Sequence, residues 1–180
     1  MKSLKESNLY QRLEKIKSRI RNAAERCNRD PQSVRLVAVS KTVPSERVLE
    51  AINAGVTILG ENYIQEAREK FDALSAHPVT WHFIGHLQTN KAKYAVRLFD
   101  LIHSVDSIKL ARELNKRAGR INKIQNILIQ VNISREASKS GAYVGNIKQL
   151  IKETGGMSNL QVQGLMTMPP FFNEPEKARP

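Results

Sequence analysis

The sequence predicts an α/β fold built from repeated βα units around a parallel sheet. Three observations carry this expectation. Short apolar runs alternate with segments of helical period about six times between Leu36 and Met168, the order from which parallel sheets are made. No GxGxxG follows the first apolar run, so the dinucleotide-binding form of a doubly wound sheet has no support. Several runs end in polar residues: Ser40-Lys41, Glu61-Asn62, His86, Asn132 and Thr167. A doubly wound sheet and a (β/α) barrel are both open from periodicity alone. Polar groups gathered at many strand ends fit the barrel, where one mouth collects a contribution from each strand.

The elements follow in order. Leu9, Leu13, Ile16, Ile20 and Ala23/Ala24 recur at helical spacing with charges between them, which predicts an amphipathic helix from about Asn8 to Cys27, broken by Asp30-Pro31. Leu36–Ser40 is the first strand, and a helix over Ser45–Ala54 closes on Gly55. Thr57–Leu59 is a short strand ending in "GEN", before a helix with Ile64, Ala67, Phe71 and Leu74 on one face. Val79–Gly85 leads to a helix near Asn90–Leu98, then strand Leu101–Val105. Asp106 or Ser107 caps a helix carrying Ile108, Ala111, Leu114 and Ala118. Ile127–Ile133 is the fifth strand, and a helix with Val144, Ile147, Leu150 and Ile151 ends at Gly155-Gly156. Leu160–Met168 is the sixth strand, and the proline-rich "PPFFNEPEKARP" reads as a loop or a capped helix start. About six strands are too few for the usual eight of a barrel, so the expectation is a single domain over 1–180 lacking about two βα units at its C-terminal end.

Composition narrows the function classes. The 180 residues suffice for one domain with a sizeable core. No apolar run reaches membrane-spanning length, and the charged N-terminus lacks a signal peptide's apolar stretch. A single cysteine, Cys27, excludes an intrachain disulfide and reads as a small packing residue near a helix end. Together these absences favour the cytoplasm. Lys and Arg number 29 against 17 Asp and Glu, a net charge of +12. The positive residues are dispersed and only ten aromatics are present, so a nucleic-acid module is a secondary reading.

Lys41 is the residue with the most to offer chemically. An amine at the end of a first barrel strand would point into the mouth, where burial disfavours the ammonium and leaves a nucleophile toward aldehydes. A solvated lysine at a strand–loop junction is the plain alternative. The words around it decide between them. "AVSKTVP", "LGENYIQE", "WHFIGHLQTNK", "HSVDS", "QVNISREASKSG" and "GLMTMPP" occur in this order, each at a strand end. Over Leu36 to Pro170 the chain resembles the pyridoxal phosphate homeostasis protein family.

That resemblance implies a (β/α)8 TIM barrel of the alanine racemase N-terminal domain type and the cofactor pyridoxal 5′-phosphate (PLP). It implies that Lys41 holds PLP as a Schiff base, that Asn62 lies near the cofactor ring, and that His82 and Met166 line the mouth. Lys139, in "EASKSG", matches a second lysine of the family, which takes the aldehyde in transfer or attracts phosphate. The family's serine–glycine turn and arginine–glycine motif, which cradle the phosphate, have no counterpart after Pro170. The implied function is a carrier or buffer in vitamin B6 homeostasis without substantial turnover, with PLP-dependent apo-enzymes as partners and a monomer as the intact state. A PLP-dependent amino-acid racemase is the alternative from the enzyme class.

Each site residue also has a plainer role. Asn62 would cap a helix beginning at Tyr63, and Glu61 would be a first-turn acid favoured by the helix dipole. Trp81 and Phe83 alternate with His82, so they pack under helices while His82 faces the other side, as a satisfied core histidine or a ligand contact. His82 and His86 have a helical metal-pair spacing on a strand, with no third ligand nearby, so no metal site is expected. Met166 and Met168 share a strand face and serve equally as core filler. Ser138–Gly141 forms either an anion-binding nest or a solvated loop.

Overall fold

The computed structural model describes residues 8–133, 140–170 and 172–178. They belong to two compact units, Met1–His82 and Phe83–Pro180. Among the described residues no helix is long and apolar enough to cross a membrane.

The first unit opens with α1 (Asn8–Arg26), which buries Leu13 and Ala24. Asp30 then caps a 3-10 turn at Pro31–Ser33, its side chain accepting from the Gln32 N–H at 2.9 Å. β1 (Ala38–Val39), α2 (Ser45–Asn53), β2 (Ile58–Glu61), α3 (Ile64–Ala73) and β3 (Thr80–Phe83) follow. β1 pairs parallel with β2, with Ala38 opposite Leu59 and Val39 opposite Gly60, and β3 neighbours β2 on its other side. Val48, Leu59, Ile64, Ala67, Leu74 and Trp81 form the buried apolar set of this unit. Trp81 packs on Phe71 of α3, ring centroids 5.9 Å apart.

The first strand is shorter than its sequence implies, two residues rather than five. Val39 is 52% exposed, so the run is not buried on both faces. β1 stands at the end of the strand order with β2 as its only neighbour in it, and a strand with one neighbour leaves part of its surface to water.

The second unit holds α4 (Ala92–Leu98), β4 (Leu101–Val105), α5 (Ile108–Gly119), β5 (Gln125–Asn132), β6 (Ala142–Tyr143), α6 (Ile147–Gly155) and β7 (Leu160–Thr167). β5 is the hub. It pairs parallel with β4, Ile102 opposite Ile127, and with β7, Ile129 opposite Leu165. The short β6, unforeseen from sequence, also pairs parallel with β5. Phe99, Ile102, Val105, Leu110, Leu114, Ile127 and Ile129 are buried, each worth about 1.5–3 kcal/mol relative to exposure. Phe83 meets Phe99 at 5.1 Å between centroids. Lys123 donates to the carbonyls of Val96 and Phe99, both at 2.8 Å, and so satisfies orphan acceptors at the end of α4. Gly141 has φ +131°, and a Cβ there would stand 2.7 Å from the Asn132 backbone nitrogen. Only glycine lets β6 leave its loop so close to β5.

Candidate functional site

The site is best built from the junction of β1 and β2. Ser40 extends the ladder by one rung, its N–H donating to the Gly60 carbonyl at 3.0 Å. Its hydroxyl donates to Glu61 Oε1 at 2.7 Å, so Ser40 and Glu61 share a face. That face looks toward α3, because Lys70 of α3 donates to the same Glu61 oxygen at 2.7 Å. Successive strand residues alternate faces. Asn62 directly follows the last residue of β2, and Lys41 lies two residues past the end of β1, in a turn. β3 obeys the same geometry: Trp81 faces α3, and His82, 5% exposed, takes the other side. Lys41, Asn62 and His82 thus lie at or near the C-terminal ends of three neighbouring strands.

Lys41 is exposed. The shelter expected for its amine is not found. The half-exposed Val39 precedes it, and Lys41 stands in a turn closed by the Val43 N–H donating to the Ser40 carbonyl at 3.1 Å. Thr42 in that turn has φ +61°, a left-handed conformation uncommon for a β-branched residue. The Thr42 N–H donates to Glu66 Oε2 at 2.8 Å and its hydroxyl to the Lys41 carbonyl at 2.6 Å.

Asn62 is not a helix cap. Tyr63 holds that position with no side-chain cap, and α3 starts at Ile64, which leaves Asn62 half-buried beside the end of β2. Glu61 is not a first-turn acid either. It is fully buried as the last residue of β2, ion-paired to Lys70. Cys27 is exposed rather than packed, because it lies one residue past the end of α1.

In the second unit, Met166 is half-buried on β7 opposite Gln130. Lys139 lies outside the described residues, as do Ser138 and the greater part of its loop. Ser140, just beyond, lies 3.2 Å from His86 Nδ1 through its hydroxyl, while its carbonyl accepts from Gln130 at 2.9 Å.

The polar cluster that sequence reasoning did not assemble is the set Ser40, Glu61, Glu66 and Lys70. A signal was present. Lys70 falls in the apolar series Ile64, Ala67, Lys70, Leu74, and a charge on the buried stripe of an amphipathic helix announces a buried partner.

The alanine racemase N-terminal domain family matches residues 11–179. The pyridoxal phosphate homeostasis protein of Aquifex aeolicus is 43% identical over 173 residues, 96% of this chain and 76% of that protein. The structure of PipY from Synechococcus elongatus with PLP bound superposes with a TM-score of 0.74 at 35% identity, over 85% of this chain and 71% of that one. A protein from Bifidobacterium adolescentis gives a TM-score of 0.84 at 31% identity, over 94% and 72% of the two chains. The parallel βα order thus has its explanation: this chain belongs to the pyridoxal phosphate homeostasis protein family and has the (β/α)-barrel fold of the alanine racemase N-terminal domain.

Proposed function

We propose that the chain binds pyridoxal 5′-phosphate through Lys41 and holds it for release, without substantial turnover of its own. The observation carrying this reading is the placement of Lys41: an accessible amine in the turn that follows β1, the neighbour of the strand that leads into Asn62, in a chain similar to a PipY solved with PLP bound.

The residues at these strand ends fit the aldehyde end of the cofactor. PLP supplies an electrophilic carbonyl and an anionic phosphate. Lys41 would hold the cofactor through that aldehyde, its ε-amine serving as the nucleophile when unprotonated. Asn62 offers both a donor and an acceptor to polar substituents of the ring. The buried His82 lies near the end of the neighbouring β3. Met166 and Lys139 enter this reading from the family resemblance alone.

Exposure of Lys41 favours a carrier over an enzyme. PLP enzymes add a second acid–base group, control of the ring nitrogen and exclusion of water. An amine open to solvent leaves a bound aldehyde accessible to water and to other amines, which would suit holding and release.

Borohydride reduction of the PLP-treated chain followed by peptide mapping tests the reading. A pyridoxyl adduct concentrated at Lys41, and lost in Lys41→Ala, is expected; labelling spread evenly over the surface lysines would end it. In deuterated water with an added amino acid, α-proton exchange should run no faster than with free PLP. Rapid exchange would make the chain an enzyme instead.

A further inference from the structure

Lys70 needs explaining. It lies on α3, 5% exposed, paired with a Glu61 that is 0% exposed. Lysine and glutamate are almost never buried this far unless paired. A buried ion pair is also a poor device for stability, since an apolar pair of similar volume often does as well or better. This pair is not even fully satisfied: Glu61 Oε2 is buried with no hydrogen-bond partner. Some other benefit must keep it.

Its contacts converge on the two residues that flank Lys41. Lys70 Nζ donates to the Ser40 carbonyl at 2.5 Å and to Glu61 Oε1 at 2.7 Å, and lies 3.6 Å from Glu66 Oε2. Ser40 is therefore held twice, through its carbonyl and through its hydroxyl on Glu61. Thr42 is held by its N–H on Glu66 in a left-handed conformation that it would not adopt unaided. Lys41 lies between these two held residues and is exposed.

We infer that Glu61, Lys70 and Glu66 form a positioning device for Lys41. The cluster clamps the turn from behind and fixes the direction in which the amine leaves the strand. The proposed role of all three is to act through Lys41, not as contacts to the cofactor. The inference rests on the reading of Lys41 as the PLP amine, and extends it to what orients that amine.

The test is the double variant Glu61→Gln with Lys70→Met. It leaves the net charge unchanged, keeps an acceptor for the Ser40 hydroxyl and conserves volume. Two readouts use ligand-free protein: hydrogen–deuterium exchange of the Thr42 amide, and the pH profile of Lys41 acylation by a small anhydride. Faster exchange and a displaced profile are expected. With PLP added, affinity should fall at least about tenfold, and borohydride labelling should spread from Lys41 to other lysines. Unchanged exchange, profile and affinity would overturn the inference. Should the double variant fail to fold, Glu66→Gln, at a half-exposed position, weakens the Thr42 clamp alone. It should shift the same readouts by a smaller factor, and a result identical to the parent would again count against positioning. If the parent itself does not label at Lys41, the functional reading falls, and the two ligand-free measurements still decide whether the cluster orients that residue.

Discussion

His103 stands half-buried on β4, and burial holds its imidazole below the ordinary range near 6.5. The sign of the consequence is fixed. Between the lowered native value and 6.5 the unfolded chain binds more protons than the folded one, so stability rises with pH across that window. Acidification from pH 8 should therefore lower the urea midpoint as pH passes 6.5, until the native imidazole also titrates. His103→Gln, which cannot take the proton, should flatten that part of the curve; an identical slope in the variant would show that other groups cause it. At the same scale, Lys41 and Lys70 illustrate how environment divides a residue type. Lys41 is exposed to water, and Lys70 is withdrawn from it into a buried ion pair with Glu61.

Among the elements, α5 shows how a helix start is encoded. Ser107 sits at its N-cap in an extended conformation, and its hydroxyl accepts from the Leu110 N–H at 3.3 Å. That satisfies one of the orphan donors of the first turn. Ser107→Ala should cost about 1 kcal/mol, read as a fall in unfolding midpoint with an unchanged m-value. No change would mean that burial of Leu110, Ala111, Leu114 and Ala118 positions the helix without its cap. Helices were legible wherever a 3.6 period met a cap or a breaker, as in α1, α2 and α5. Strand limits were less so. The apolar run before Lys41 promised five residues of ladder, but pairing needs a neighbour, and only Ala38 and Val39 are paired in β1. β6 is two residues long, and its place beside β5 depends on a glycine that no local pattern marks as a strand.

For the whole molecule the dominant bulk property is charge, +12 over 180 residues. Its exposed ion pairs, such as Arg112–Glu153 at 2.9 Å, contribute little individually, while like-charge repulsion works against the compact state. Screening reaches about 8 Å at 0.15 M salt. Raising sodium chloride from about 10 mM to this level should therefore increase the melting temperature by a few degrees. A fall would show that the surface pairs outweigh the repulsion. The same excess charge would draw small anions toward the chain from a distance.

The sequence by itself determined the βα order, most of the helices and the membership that six ordered motifs announce, because periodicity and short motifs are local properties of a chain. It also singled out Lys41 and Asn62. Tertiary structure alone decided that Lys41 is open to water, that Asn62 is released from capping, and that Glu61 serves a buried lysine. Each of these outcomes depends on which groups distant in sequence arrive at the same place. Burial, ion pairing and strand register are created by that arrival, and no window of neighbouring residues contains them.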